Sequence, residues 1–413
     1  MLLVFSAVVY PWQIDIQFVK PDITEAEIEA VIKVLRSGWL TTGPVTKQFE
    51  REFASYLGTP RAACMSSQTI GAEFILRMLG VGEGDEVILP AYTYSASCSV
   101  VYHVGATPVL IDSQVDCPEM DYDAMEAAIT ERTKVIIPVD IGGVVCDYDR
   151  IYEAIERKRS LYNAGNNQYQ KEFGRIIVLA DTAHSLGASS NSIKAGNLAD
   201  FSSFSFHAVK NLTTGEGGAI TWKDSPYIDH DTMYRNFMLL SLHGQTKDAL
   251  DKTASASWEY DIIEPWYKSN LTDVASAIGL SQLQRYQAML DRRHEVVRKY
   301  DQGFSDLPVS WLNHYKEGQH SSAHLYFLKL TDRTEKERNI FIESLQEKGI
   351  SCNVHYKPLP MLSAYKKRGF NMAKFPNAYK YYENLVTLPL YNLLSDMEVD
   401  YIIASVCDIL SNQ

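Results

Sequence analysis

Residues 176–188 read IIVLADTAHSLGA and residues 204–218 read FSFHAVKNLTTGEGG. The first stretch is an apolar run that ends in Asp181, which is typical of a buried parallel strand with a carboxylate at its carboxyl end. Ligands of open α/β sheets bind at that end of the strands. The second stretch places Lys210 among aromatic residues and glycines, where burial would lower the pKa of its amine and make it a nucleophile. Together they predict an α/β fold with Asp181 and Lys210 in one site.

The rest of the chain indicates how the sheet and the domains are arranged. Helical stretches separate the early strand-like runs, and this alternation predicts a mostly parallel, seven-stranded sheet with helices on both faces. We expect an N-terminal extension (residues 1–17), a large domain that carries the site (18–285) and a smaller C-terminal α/β domain (286–413). The predicted strands are residues 62–65, 86–89, 107–111, 134–139, 176–180, 201–206 and 219–222.

Polar residues near the ends of these strands are candidates for the same site. His184 follows Asp181 by one helical turn. Ser67, Gln68 and Thr69 open a helix after the first strand, and the free N–H groups of a helix N-terminus bind anions. Each feature also has a structural interpretation, because aspartate and serine are common helix caps and most lone histidines belong to a packed core. The sequence pattern alone leaves both interpretations open.

The order of these motifs resembles a known family. Asp-x-x-His at Asp181 and His184, followed by SFHAVKNLTTGEGG at residues 205–218, is similar to the DegT/DnrJ group of pyridoxal-phosphate-dependent nucleotide-sugar aminotransferases. That group has the aspartate aminotransferase fold (fold type I). The resemblance runs in register, with few gaps, from about Phe18 to the C-terminal end. It implies that the large domain binds pyridoxal 5'-phosphate (PLP).

The resemblance implies a role for each residue around the ring of the cofactor. Lys210 would form the Schiff base with PLP and then act as general base or acid for the proton shift. Asp181 would keep the pyridine nitrogen protonated, which makes the ring an electron sink. His184 and Tyr94 would position the ring, with Tyr92 as the alternative to Tyr94.

The resemblance also implies a phosphate site that two subunits share. The family usually has a small residue where this chain has Gln68, so a contact from its backbone is expected there. A loop of the partner subunit would reach the phosphate, which makes the active enzyme a homodimer with shared sites. The residues assigned to the phosphate are Ser67, Gln68, Thr69 and Ser205 of one subunit with Lys268 and Asn270 of the other. Residues 355–360 and 388–391 resemble segments that line the substrate mouth.

The function implied by the family is amino transfer to a nucleotide-linked keto sugar, with a deoxy sugar expected, in the biosynthesis of amino sugars and polysaccharides. The expected amino donor is L-glutamate, and pyridoxamine 5'-phosphate (PMP) would carry the amino group between substrates. Two alternatives stay open. One is a PLP- or PMP-dependent sugar dehydratase of the same fold, a class that resembles this chain with His in place of Lys210. The other is a non-catalytic sensor or regulator of the same fold.

Composition excludes several other classes. A formal net charge of −12 and the absence of a long basic run argue against nucleic-acid binding. The six cysteines have no metal-ligand spacing, so we expect no metal site. The apolar first ten residues lack a basic flank and are too short to span a membrane, so we expect no membrane association. Glycosylation sequons at Asn211 and Asn270 fall inside the expected site, which favours a cytoplasmic protein.

Overall fold

A seven-stranded sheet forms the centre of the large domain in the computed structural model, which describes residues 15–248, residue 250 and residues 259–411. The strand order is β1-β9-β8-β5-β4-β2-β3, and β9 alone among these seven runs antiparallel to its neighbours. The predicted mostly parallel sheet is therefore confirmed. The strands are β1 (Ala62–Met65), β2 (Glu86–Pro90), β3 (Thr107–Ile111), β4 (Thr133–Ile136), β5 (Ile177–Asp181), β6 (Ser189–Ser190), β7 (Ile193–Lys194), β8 (Phe201–Ser205) and β9 (Gly218–Trp222), of which β6 and β7 form a separate hairpin.

Helices cover both faces of this sheet. Strand β5 shows why, since Ile177 and Leu179 belong to one buried apolar cluster and Val178 and Ala180 belong to another. Alternate side chains of a strand point to opposite faces, so both faces require cover. The helices of this part of the chain are α1 (Glu25–Ser37), α2 (Pro44–Leu57), α3 (Gln68–Met78), α4 (Ser95–His103), α5 (Tyr122–Ala127), α6 (Tyr148–Arg157), α7 (Gln168–Phe173), α8 (His230–Ser241) and α9 (Asp273–Gln284).

The side chain of Asp273 joins two loops that are far apart in the sequence. It is buried and accepts hydrogen bonds from the backbone N–H groups of Gly43 (2.7 Å), Val45 (3.1 Å) and Thr46 (2.9 Å) at the start of α2. A carboxylate at a helix N-terminus satisfies free N–H groups and opposes the helix dipole. The loop before α2 (residues 38–43) is thereby held beside residues 268–273.

A second, three-stranded antiparallel sheet forms the centre of the C-terminal part, in the order β10-β12-β13. Helices α9 and α10 meet at Arg285, the position of the expected domain boundary, although the limits of the domains stay a prediction. The elements of the C-terminal part are α10 (Tyr286–Phe304), β10 (Val309–Trp311), β11 (Gln319–His320), β12 (Tyr326–Leu330), α11 (Glu335–Glu347), α12 (Ser363–Lys366), α13 (Pro376–Glu383), β13 (Leu385–Leu388) and α14 (Asp396–Ser411). Strand β11 pairs with β6.

The expected N-terminal extension lies mostly outside the described residues. Of its 17 positions, 1–14 are not described, whereas Ile16 is buried and pairs with Ile350 of the C-terminal part. Its N–H donates to the carbonyl of Gly349 at 2.8 Å. Ile16 thus belongs to the C-terminal core. Within the described ranges, no helix combines the length and the apolar character that crossing a membrane requires.

Candidate active site

A cavity of about 330 Å³ opens at the carboxyl ends of β5 and β8, between the sheet and a segment of the C-terminal part. This is the end of the sheet at which ligands of α/β proteins bind. The cavity brings together eight of the ten site residues predicted from the sequence. The lining residues are Ser67, Gln68, Thr69, Thr93, Tyr94, Ala96, Val139, Asp181, Ala183, His184, Ser205, His207, Val209, Lys210, Glu216, Gly217, His355 and Tyr356.

Lys210 lies in the turn that follows β8. Its N–H donates to the carbonyl of His207 at 2.9 Å, and the N–H of Thr214 donates to the carbonyl of Phe206 at 2.9 Å, which closes the loop between β8 and β9. Burial lowers the pKa of the Lys210 amine to about 8, although the negative charge of Asp181 opposes the shift. A lysine with such a pKa has a substantial neutral fraction near neutral pH and can attack a carbonyl.

Asp181 is the last residue of β5, and its carboxylate is 6% exposed. Its oxygens accept hydrogen bonds from the hydroxyl of Ser97 (2.7 Å) and the N–H of Ala183 (3.2 Å), and the hydroxyl of Ser97 lies 2.9 Å from that of Thr93. Burial raises the pKa of Asp181, and these hydrogen bonds and the charge of Lys210 oppose that rise. The carboxylate is thus held in a fixed orientation on the cavity wall.

This carboxylate fits the ring nitrogen of PLP. Among the described side chains, no cation lies within ion-pair distance of Asp181. Asp200, another buried carboxylate, does have such a cation in Arg175. The hydrogen bonds from Ser97 and Ala183 leave the negative charge of Asp181 without a paired cation, and a buried charge is costly unless it is paired. A protonated pyridine nitrogen supplies such a partner, and Asp181 stabilises its charge in return.

The ring of His184 has a defined protonation state. Its Nδ1 accepts a hydrogen bond from the N–H of Gly142 at 3.2 Å, and the Tyr356 hydroxyl lies 3.1 Å from Nε2. A backbone N–H can only donate, so Nδ1 is unprotonated and Nε2 carries the proton of the neutral ring. Burial and the charges of Lys210 and His355 hold the pKa of His184 well below its usual range. His184 therefore faces the cavity as a neutral N–H donor.

The start of α3 contributes an anion site to the opposite side of the cavity. Ser67 is the N-cap and accepts a hydrogen bond from the N–H of Ile70 at 3.2 Å, so the N-terminal N–H groups of the helix point towards the cavity. Ser203 donates to the carbonyl of Gln68 at 2.8 Å. A Cβ on Gly218 would lie 2.5 Å from the backbone nitrogen of Gln68, which explains the glycine at this point of β9. The N-terminal N–H groups and the cavity-lining Ser205 suit a phosphate.

The two tyrosines of the loop after β2 occupy different environments. Tyr94 lines the cavity, is 60% exposed and has its ring centroid 5.6 Å from that of Tyr356. Tyr92 is fully buried, donates its hydroxyl to the carbonyl of His355 at 2.7 Å and accepts from the N–H of Tyr356 at 2.9 Å. Tyr94 is thus positioned to contact a ligand ring, while Tyr92 fastens the C-terminal segment to the sheet.

Lys268 and Asn270 are the two predicted residues that do not line this cavity. Asn270 donates to the hydroxyl of Thr42 at 2.6 Å, Lys268 donates to the side-chain oxygen of Asn270, and the N–H of Ser66 donates to the carbonyl of Ser269 at 2.7 Å. The side chain of Lys268 is exposed. This location leaves its ammonium accessible to a second subunit, as the predicted shared phosphate site requires.

The cavity also contains titratable residues to which the sequence analysis gave no individual role, namely His207, Glu216, His355 and Tyr356. His207 and Glu216 flank Lys210 in the loop between β8 and β9, with 3.7 Å between imidazole and carboxylate. His355 and Tyr356 come from the C-terminal part, for which only a resemblance to segments that line the substrate mouth was available. The loop pair could have been found, because both residues lie inside the motif of residues 204–218.

Comparisons with known proteins show the family of this chain. Residues 21–407 match the model of the DegT/DnrJ/EryC1/StrS aminotransferase family. The spore coat polysaccharide biosynthesis protein SpsC of Bacillus subtilis is 36% identical over 396 residues, which cover 94% of this chain and 96% of SpsC. Spr1654 of Streptococcus pneumoniae, assigned to the sugar aminotransferases, is 53% identical in its PMP form, covers 96% of this chain and 100% of its own, and has a TM-score of 0.94.

Two further structures extend the comparison. Spr1654 has also been solved in a PLP form, which is 52% identical to this chain with a TM-score of 0.93 and covers 96% and 99% of the two chains. PseC of Helicobacter pylori, an aminotransferase involved in the biosynthesis of pseudoaminic acid, is 27% identical with a TM-score of 0.84, covering 97% of this chain and 100% of its own.

Proposed function

Since the chain belongs to the DegT/DnrJ/EryC1/StrS aminotransferase family, whose members are PLP-dependent sugar aminotransferases, we propose that it transfers an amino group from L-glutamate to the keto group of a nucleotide-linked sugar. The observation that carries the proposal is the pairing of Lys210 and Asp181 on one cavity wall, the first with a lowered amine pKa and the second without a cation of its own. The biosynthetic roles named for SpsC and PseC support a sugar as the acceptor.

PLP, when bound, supplies a carbonyl that takes up the amino group and a protonated ring that withdraws electrons from the reacting carbon. Lys210 would hold the cofactor through its amine and, as a free amine, would take up and give back the proton that the reaction moves. Asp181 favours the protonated ring nitrogen through charge and hydrogen bonding. His184, a neutral donor, and Tyr94, an exposed aromatic ring, fix the plane of the cofactor ring.

The anchoring of the phosphate group completes the proposed site. The N-terminal N–H groups of α3 and the hydroxyls of Ser67, Thr69 and Ser205 lie along one wall of the cavity. Several hydrogen bonds to a dianion, together with the helix dipole, hold it in place while the lysine link breaks and re-forms. The partner's Lys268 and Asn270 would add a positive charge and an amide on the remaining side, which makes the enzyme a homodimer.

A labelled amino donor tests the proposed reaction. The enzyme loaded with PLP is incubated with ¹⁵N-L-glutamate and a panel of nucleotide-linked keto sugars, and the products are analysed by mass spectrometry. We expect ¹⁵N in a nucleotide-linked amino sugar and an equal amount of 2-oxoglutarate. Loss of water from the sugar without incorporation of ¹⁵N would identify a dehydratase, and binding without any conversion would identify a sensor.

Mixed dimers test whether Lys268 acts across the subunit interface. Lys210→Ala and Lys268→Ala are each expected to have low activity at limiting PLP. The first variant cannot form the covalent link to the cofactor, and the second binds the phosphate group more weakly. Random reassociation makes half of the dimers heterodimers. In a two-fold symmetric dimer, each heterodimer has one intact site and one doubly altered site. About a quarter of wild-type activity should therefore return. If Lys268 acted within its own subunit, no heterodimer would have an intact site. The double variant mixed with Lys210→Ala is the control.

A further inference from the structure

His324 is a buried histidine beside Lys210 that the proposed mechanism does not use. It is 3% exposed and lies just before β12, with its ring centroid 4.4 Å from that of His184. Gly142 contacts both residues, because its N–H donates to Nδ1 of His184 and its carbonyl accepts from the backbone N–H of His324 at 3.1 Å. The C-terminal part thereby places an imidazole directly behind the ring-positioning histidine.

The hydrogen bonds of Asn211, the residue after Lys210, define the tautomer of His324. The amide nitrogen of Asn211 donates to the carbonyl of Ser322 at 2.8 Å, so its amide oxygen faces Nδ1 of His324 at 2.7 Å. That oxygen can only accept, and Nδ1 must therefore carry a proton. Burial and the nearby charges of His184, Lys210, Arg293 and His355 hold the pKa of His324 well below its usual range. The ring is neutral, and its Nε2 is a bare acceptor.

His324 and Lys210 line the same small cavity, and Nε2 is the ring nitrogen of His324 that the contact with Asn211 leaves available. This cavity measures about 100 Å³ and lies on the C-terminal side of the lysine, next to the larger cavity. Enclosed polar cavities of this size hold water when two or more polar groups line them. Nothing in the mechanism above requires this space. The lining residues are Phe18, Val19, Val209, Lys210, His324, Leu325, Asn353, His355, Tyr356 and Leu390.

We propose that His324 is a positioning residue for Lys210, with its bare Nε2 accepting a hydrogen bond from the lysine amine through water in the small cavity. The proposal rests on the proposed role of Lys210 as the proton-transferring amine. A free amine has two N–H groups and one electron pair, so an acceptor on one side directs the electron pair to the other side. Here that other side is the larger cavity, where the proton must be moved.

The tautomer of His184 explains why His324, rather than His184, takes this role. His184 uses Nδ1 as an acceptor and presents an N–H to the larger cavity, whereas His324 uses Nδ1 as a donor and presents an electron pair. Towards the space around Lys210, His184 therefore offers a hydrogen-bond donor and His324 offers an acceptor. The charged groups that act on this pair are Arg293, which lowers the pKa of His324, and Asp181, which raises that of Lys210.

Two substitutions of the same residue separate positioning from packing. In His324→Gln the amide oxygen can take the place of Nε2 as acceptor, while His324→Asn keeps a polar group near Asn211 but leaves no acceptor in the small cavity. The first readout uses cofactor-free protein, in which reductive methylation of Lys210 over a pH series, quantified by peptide mass spectrometry, gives the pKa of the amine. The wild-type value is about 8.

We expect the pKa of Lys210 to fall by about one unit in His324→Asn, because its ammonium loses an acceptor, and to stay near the wild-type value in His324→Gln. The second readout is the single-turnover rate with L-glutamate in PLP-loaded protein. We expect this rate to fall about tenfold in the asparagine variant and to recover in the glutamine variant, with little change in the half-saturating glutamate concentration.

Equal lysine pKa values and equal rates in wild type and His324→Asn would overturn the proposal. His314→Asn is the matched control, since His314 is equally buried in the same segment but bonds only to Ser321 and Leu325, so it should change stability and leave Lys210 unaltered. If His324→Asn does not fold, Asn211→Ala takes its place. Without the amide oxygen of Asn211 either ring nitrogen of His324 can carry the proton, so the pKa of Lys210 should again fall. A wild type that forms no lysine-bound cofactor would refute the proposed function, while the cofactor-free readout would still decide the role of His324.

Discussion

Lys210→Ala is expected to lower turnover by about 10⁴-fold or more, since both the link to the cofactor and the proton-transferring amine are lost. The measurement is steady-state amino transfer from L-glutamate at saturating PLP. The variant should fold, because alanine fits where a half-buried lysine side chain ends in a cavity. Turnover within tenfold of wild type would contradict the assignment of Lys210.

The same variant should be more stable than wild type in the absence of cofactor. The folded protein lowers the pKa of Lys210 from 10.5 to about 8, so its ammonium is disfavoured by folding. The resulting loss of folding stability is full at pH values below the pKa of Lys210 in the folded state. It disappears as the pH rises to the pKa of Lys210 in the unfolded state. Thermal unfolding at pH 7 should therefore give a higher Tm for Lys210→Ala. Lys134→Met is the control, because Lys134 is buried in β4 and donates to the carbonyls of Glu131 and Asn163, away from the site.

Asp181→Asn is expected to lower turnover by about 10²–10⁴-fold, the equivalent of the roughly 3–5 kcal/mol lost when one partner of a buried charged pair is removed. The neutral amide keeps the shape of the side chain and its contact with Ser97, but it no longer favours a protonated ring nitrogen. The measurement is the rate of amino transfer together with the PLP dissociation constant. Turnover within a few fold of wild type would contradict the proposed role of Asp181.

Asp200→Asn is a matched control for Asp181→Asn. Asp200 is 5% exposed and precedes β8, whereas Asp181 ends the neighbouring β5, so the two carboxylates lie at opposite ends of adjacent parallel strands. Asp200 pairs with Arg175 at 2.7 Å. Its substitution should lower the Tm through the lost ion pair and leave turnover per folded molecule unchanged. This comparison separates the effect of a buried charge from the effect of its position.

The sheet could be predicted because parallel strands buried on both faces appear as short apolar runs. All seven strands were predicted, with errors confined to their ends. The clearest error is β4, expected at 134–139 and observed at Thr133–Ile136. Pro138 has no N–H for the ladder, so regular pairing stops before it and Val139 makes only an isolated bridge to Asp181. Local apolar character cannot reveal such an ending.

The site could be predicted where its residues follow consecutive strands, as Asp181 and Lys210 do. The place of His355 and Tyr356 could be expected only from the family resemblance of residues 355–360, because these two residues reach the cavity through the packing of the C-terminal part on the sheet. Their distance from Lys210 along the chain leaves no local pattern. The tautomers of His184 and His324 depend on single backbone and amide contacts, which only coordinates reveal. Lys268 remains a prediction, since its role requires a second subunit.

The absorbance spectrum of the protein with PLP, recorded before and after addition of L-glutamate, tests the central claim most directly. A bound cofactor linked to Lys210 should give a visible band that disappears when glutamate converts PLP to PMP, and the band should be absent in Lys210→Ala. This result would establish the first half of the amino transfer. A wild-type protein that forms no such band with PLP would contradict the assignment of Lys210, and a band that glutamate leaves unchanged would contradict glutamate as the amino donor.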